Sequence, residues 1–445
     1  MRVQFTKAIV AVATLSALGL GPAWGQAQQP SPSSSQPTQQ QGQPGQPQWK
    51  DAAEYELYES MRRESVPQKR LELLDSWTKK NPDTAMRELR LQAYLETYRQ
   101  LNQADRMLEA ARELLTVNPK NPAGQYWACA LVVSANSVKP EDLSLAERSA
   151  RGLLATERPA GVSDEQWKQS KQQVDILAYR TLGWVALQRK DWTVAETNLT
   201  RELELNTVDA QASLWLGSAI RGQQKPERQS EALFHFARAA AYDGATGALD
   251  AAGRKQMEGY VQNAYTKFHG QDPEGLQQLL TLAKSGAFPP PGFKILSIDE
   301  VAAQRHEQLK RTNPALAIWV TIKSGLTAED GAAYFEQYVK NSVLPPENQP
   351  ALRGTVISGR PELRPTVLVL GIEKPDVAEV TLRVDAALPG KVAVGQQIDF
   401  RGVATEFAPQ PFMLTFEVEK KNISGWPAPP PTPKKAVRRP VARKK

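Results

Sequence analysis

The chain has one cysteine, Cys129, and three histidines, His235, His269 and His306, in 445 residues. A lone cysteine closes no disulfide within the chain and supplies no Cys-pair zinc site. The histidines are scattered over helical stretches, which argues against a His-based metal or catalytic cluster. The spacings GxSxG, HExxH, the P-loop, GxGxxG and the EF-hand loop are all absent. Carboxylates such as Asp191 and Glu196 alternate with Lys and Arg, as they do on solvated helix faces. The apolar run Ala8 to Gly21 spans 14 residues, short of the roughly 20 that cross a membrane. These absences leave no catalytic residue, cofactor or metal to assign, and the chain reads as a non-enzyme.

Charge is also scarce where the pI suggests it should be plentiful. Lys and Arg number 55 against 48 Asp and Glu, a net charge of +7. Seven cations, Lys434, Lys435, Arg438, Arg439, Arg443, Lys444 and Lys445, lie in the last twelve residues without an acid. The basic character therefore describes a tail, and the remainder is neutral overall. Such a polycation attracts anionic polymers or surfaces and is screened by salt.

The amino terminus has the pattern of an export signal. Arg2 and Lys7 precede the apolar run, and Ala23-Trp24-Gly25 places small residues before a cut at Gln26. The expectation is a signal peptide over 1–25, a periplasmic or secreted protein, and no transmembrane segment after cleavage. Residues 26–50 are rich in Gln, Pro and Ser and read as a disordered linker. Residues 427–445 read as a disordered Pro-rich basic tail.

Between them the apolar period is helical from Asp51 to about Gly286. Its clearest stretch reads Tyr179-x2-Leu182-Gly183-x2-Ala186, then Ala195-x3-Leu199. Leu216-Gly217 follows Leu182-Gly183 by 34 residues, and Ala232-x3-Phe236-x2-Ala239 follows that. Leu91 to Tyr98 is a poorer first helix, and Gln125-x2-Ala128-Cys129 comes 34 residues after Leu91. Cys129 thus takes the small-residue position, as a packing cysteine. Ala146-x3-Ala150 comes late, so the second repeat carries an insertion, and 158–170 reads as a long connection. Aromatics at helical spacing, among them Tyr126, Trp127, Trp184 and Trp215, read mostly as core, with a few left to line a groove.

This spacing resembles the tetratricopeptide repeat. The resemblance implies four hairpins over 51–288 that stack because one hairpin cannot cover its own apolar face. It also implies a groove that takes a protein or peptide partner.

Pro289-Pro290-Pro291-Gly292 ends the array, and 289–345 reads as a helical linker. After Pro345-Pro346 the period changes to two. Strands are expected at 352–357, 366–373, 379–385, 397–404 and 412–419. Five short strands with glycines at bends suggest a small antiparallel β-barrel over 346–426. Gly395 to Gly402 resembles the fourth strand of an OB-fold; an immunoglobulin-like sandwich is the alternative. Strands two and three carry no stacking aromatic, which argues against nucleic acid. The expected fold is multidomain α+β, an all-α tetratricopeptide-like solenoid followed by a small β-barrel. The expected role is a scaffold assisting assembly in the cell envelope. An envelope-polymer or anionic-surface binder using the tail and barrel is the alternative.

Overall fold

Most helices of this chain start where a short polar side chain can satisfy a free amide. Asp51, Asn121, Ser163, Asp191, Asp209, Asp250, Asp272 and Asn313 each accept the backbone N–H three residues on. That is the N-cap bond, worth about 1 kcal/mol each. The computed structural model describes residues 48–427. The expected signal, most of the linker and the seven tail cations lie outside them. The chain divides into two compact units, one ending at Ser297 and the other beginning at Ile298.

The first unit is a stack of antiparallel helices. They are α1 (Ala52–Arg63), α2 (Pro67–Lys80), α3 (Arg87–Gln100), α4 (Ala104–Val117), α5 (Pro122–Ser134) and α6 (Pro140–Leu154). Then come α7 (Asp164–Gln188), α8 (Trp192–Leu205), α9 (Ala210–Gly222), α10 (Gln229–Ala241), α11 (Ala251–His269) and α12 (Pro273–Ser285). Successive helices from α3 to α10 pack as hairpins, each hairpin on the next. A backbone feature repeats with them. Asn102, Asn136, Lys190 and Gln224 have positive φ and follow α3, α5, α7 and α9. The amides of Gln103, Ser137 and Asp191 turn back to the carbonyls of Tyr98, Val132 and Ala186 at 3.0, 3.1 and 2.9 Å. This left-handed closure ends the first helix of each pair. Thirty-four residues separate Asn102 from Asn136 and Lys190 from Gln224.

The stretch read as a long connection is shorter than expected. Ser163 and Gln166 form a reciprocal capping box, so helix begins at Asp164 and α7 runs for 25 residues. The insertion that makes Ala146 late lies in the α5–α6 turn, Ala135 to Lys139, and the added turns at the start of α7 take up residues read as connection. At the other end, α11 and α12 both pack on α10, and their apolar faces join the same core as Phe234 and Phe236.

The second unit starts with α13 (Ile298–Thr312), α14 (Pro314–Thr327) and the short α15 (Gly331–Tyr334), which runs into a π turn at Phe335–Val339. Its strands are β1 (Val343–Leu344), β2 (Leu352–Arg360), β3 (Val367–Gly371), β4 (Val380–Val384) and β5 (Gln397–Phe400). They continue with β6 (Gly402–Pro409), β7 (Phe412–Val418) and β8 (Ile423–Ser424). The sheet order is β1-β6-β7-β4-β3-β2-β5-β8, antiparallel except for β4 on β7.

Eight strands stand where five were expected. The run expected as one strand at 397–404 is interrupted at Arg401. Its first half pairs with β2 and its second half with β7, so the sheet curls round its own core. β1 and β8 are two-residue edges, too short to show alternation in a sequence. Trp319, Ile322 and Leu326 of α14, with Phe335 and Val339, are buried in the same core as Phe400 and Phe416. Lys323 fixes α14 to the sheet: its ammonium lies 2.5 Å from Glu379 and 3.0 Å from Glu373. Burial alone would lower the Lys323 pKa, but its bonds to the two carboxylates outweigh that and raise it.

The hairpin seam has a direct test. A Cβ on Gly183 would stand 2.6 Å from Leu199 Cγ, whereas one on Gly259 of α11 meets nothing within 4 Å. Gly183→Val should destabilise the helical unit by about 1–3 kcal/mol through overpacking. Gly259→Ala should stabilise it by about 0.5–1 kcal/mol through helix propensity. Urea unfolding followed by helical circular dichroism reads both, and opposite signs are expected.

Candidate binding groove

The residues expected to pack the repeats lie inside the hairpins. Ala195, Leu199 and Ala239 are fully buried, and Leu182, Leu216, Ala232 and Phe236 nearly so. Gly183 and Gly217 are buried and Tyr179 is half-buried. Gly217 faces Phe236 and the Ala232 carbonyl at 3.0 and 3.1 Å from its virtual Cβ. These side chains hold helix to helix and offer little to a ligand. Cys129 is buried with them; burial pushes its thiol up to about 12, and it donates to the Ala146 carbonyl.

The exposed chemistry sits on the first helices. α5 packs on α7 and α7 on α9, and no second helix among α4, α6 and α8 packs on the next as closely; beyond α9 the pattern reverses and α12 packs on α10. The first helices therefore line the inner side of the curve. Their inward strip is half-buried: Tyr126, Ala130 and Val133 on α5, and Leu214, Trp215 and Ser218 on α9. Trp184, Phe234 and Phe236 are core, whereas Tyr126, Trp127, Trp192 and Trp215 are half-buried. Two arginines lie over aromatic rings between neighbouring helices. Arg180 of α7 stands 5.6 Å from the Trp215 ring, and Arg221 of α9 stands 5.6 Å from the Tyr260 ring of α11. Arg221 also donates to the Tyr260 hydroxyl. Arg180 pairs with Asp209 at 2.9 Å, while Asp209 caps α9 through the Ala212 amide.

Behind this strip lies an acid that motif reading passed over. Glu202 of α8 is fully buried, and neither carboxyl oxygen has a hydrogen-bond partner among the described residues. Burial, then the Asp209 charge, raises its pKa well above 4.5, and Arg180 opposes this. Its position was legible, because Glu202 follows Leu199 by three and falls on the apolar stripe with Ala195 and Leu203.

In α10, His235 is buried beside Phe234 and Phe288. Burial, with Arg238 and Arg228 nearby, lowers it to about 3, so the ring is neutral. Arg238 donates to the carbonyls of Ala283 and Gly286 at 3.2 and 2.6 Å and to that of Thr207. It thereby closes the end of α12 onto the α8–α9 turn. An open cleft of about 1030 Å³ lies against α12, lined by Tyr265, His269, Leu279, Leu282 and Phe293. His269 bridges Leu296 O at 2.8 Å and Asp272 at 3.2 Å.

The geometry defines a class: a solenoid of stacked α-hairpins, and after it in the chain a curled eight-stranded sheet. No family model and no curated protein matches the chain. Among solved structures, a thermophilic tetratricopeptide repeat protein of Thermus thermophilus is similar at 16% identity. The match covers 48% of this chain and 95% of that one, with a TM-score of 0.25. A likeness that slight carries no argument; the repeated seam and closing turns do. No helix among the described residues is long and apolar enough to cross a membrane.

Glu202 makes stability depend on pH. Its folded pKa lies above 4.5, so the folded state keeps a proton that the unfolded chain releases. That contribution is complete below pH 4.5 and is lost as pH rises through the folded value, by up to about 1.4 kcal/mol per unit. Glu202→Gln, which does not titrate, should match the wild type near pH 4 and melt higher at pH 8. Melting temperatures across this range check it, and a constant gap would contradict it.

Proposed function

We propose that this protein is an exported, non-catalytic scaffold that holds a protein or peptide partner in the inner groove of its helical unit. One observation carries the reading: the first helices α5, α7 and α9 pack on one another, and Tyr126 of α5 and Leu214 and Trp215 of α9 are only half-buried there. Monomeric surfaces rarely leave such strips uncovered without use, and Tyr, Trp and Arg are the residues that dominate interface energetics. Concave solenoid faces are extended binding surfaces for the same reason. Export rests on the Arg2 to Gly25 pattern, and the envelope is the compartment it points to.

The second unit fits a role as an OB-like second contact. Its circuit β2–β3–β4–β7 and back through residues 397–409 to β2 supports that reading, since an OB-fold is a five-stranded, partly open Greek-key barrel. Its strands bring no stacking aromatic to an exposed sheet face, which favours a protein over a nucleic acid as what it touches.

Affinity capture from envelope extract tests the groove. Trp215→Ala with Tyr126→Ala should lose the captured partner, by tenfold or more for about 1.4 kcal/mol. Thr197→Ala, on the exposed face of α8, should keep it. Equal capture by both variants would reject the groove. Amino-terminal sequencing of protein from the producing cell should start at Gln26.

A further inference from the structure

We infer that His269 is a proton-operated latch. With two ring protons it pins the segment after α12, residues 287–296, to the corner between α11 and α12; on losing one proton it lets that segment loosen. The latch is independent of the groove and of any occupant.

Donors and acceptors around the ring do not balance for a neutral imidazole. His269 Nδ1 lies 2.8 Å from the Leu296 carbonyl oxygen, and Nε2 lies 3.2 Å from Asp272 Oδ2. A carbonyl and a carboxylate only accept, and a neutral imidazole has a single N–H to give. Both bonds are therefore made only by the imidazolium. Asp272 is suited to face it. The Gly275 amide, ahead of the other causes, holds this carboxyl below the usual carboxylate range. Its two oxygens divide the work: Oδ1 accepts the Gly275 amide at 3.0 Å and caps α12, which leaves Oδ2 for the ring.

The pinned segment matters to the end of the array. Its Ile295 N–H donates to the Ser230 hydroxyl at 3.1 Å, and that hydroxyl donates to the Ile295 carbonyl at 3.0 Å. Phe288, Phe293 and Ile295 pack on the core shared with α10. Leu296 is the last residue but one of the first unit, and with Phe293 it lines the cleft against α12. The latch thus holds both the end of the unit and one wall of that cleft. The ionisable groups around the ring are Tyr265 on its own helix, Asp272 and Glu274 at the start of α12, and Lys294 on the segment. Tyr265 is pushed up to about 12, first by burial and then by Asp272, so it keeps its proton near neutrality. An imidazole is the side chain that exchanges one there.

Hydrogen exchange of the full chain, read by mass spectrometry on peptides covering 292–297 and corrected for the chemical rate at each pH, tests the latch. Protection in the wild type should fall by about fivefold or more between pH 5.5 and pH 8, as for the loss of one hydrogen bond. Asp272→Asn separates the latch from a general loss of stability. The amide oxygen still caps α12, while the amide nitrogen donates to the ring nitrogen that a neutral His269 leaves bare. That variant should hold the segment as well at pH 8 as at pH 5.5. His269→Gln, which does not titrate, should give one protection at both pH values. Equal protection of the wild-type segment at the two pH values overturns the inference. So does a wild-type fall that either variant retains.

Discussion

Everything in the helical unit depends on how closely one helix can approach the next. At Gly183 there is no room for a further methyl group, because Leu199 occupies that space, and at Gly217 the fit against Phe236 is tight. The partner positions Ala195 and Ala232 are small for the same reason and fully or almost fully buried. Close approach lets leucine and phenylalanine interdigitate at near-crystalline density. It also fixes the spacing of the hairpins, and the left-handed turns after α3, α5, α7 and α9 hold each pair in the same phase. A groove with a regular inner strip is a by-product of that regularity.

The polar groups inside the unit divide into those with partners and those without. Arg238 is buried and its terminal nitrogens have three carbonyl partners, which close the end of the array without an acid, while its Nε has no partner among the described residues. Asp209 caps a helix and holds Arg180 at once. Glu202 and His235 are buried with unpartnered atoms, and both are pushed toward their neutral forms. An uncharged acid and an uncharged imidazole are the forms a dry interior tolerates. The second unit solves its own problem differently. Glu379 accepts the amides of Ile372 and Glu373 at 2.8 Å each and the ammonium of Lys323, so this buried carboxylate has hydrogen-bond partners and an opposite charge.

Much of the helical unit was legible before any coordinates. Tyr179, Leu182, Gly183 and their counterparts near Leu216 announce a repeated hairpin because packing demands one residue size at each slot. The start of α7 was misread, since Ser163 and Gln166 signal a cap only when the reader gives them more weight than Pro159. The strands were legible where burial alternates, as in Val380, Leu382 and Val384. They were missed at β1 and β8, where two residues show no period. The role of Trp319 in the second core was hidden because a helix's apolar face does not say which partner covers it.

The chain alone determined the period, the small-residue seam and the segregation of positive charge to a tail, because each is written in residue type and spacing. Only the tertiary structure decided which half-buried faces stay open. Exposure is a property of neighbours: α5, α7 and α9 meet because each hairpin stacks on the next and brings its first helix against the one before. Arg180 and Arg221 became a pair of stacked cations only when α9 and α11 supplied the rings beneath them.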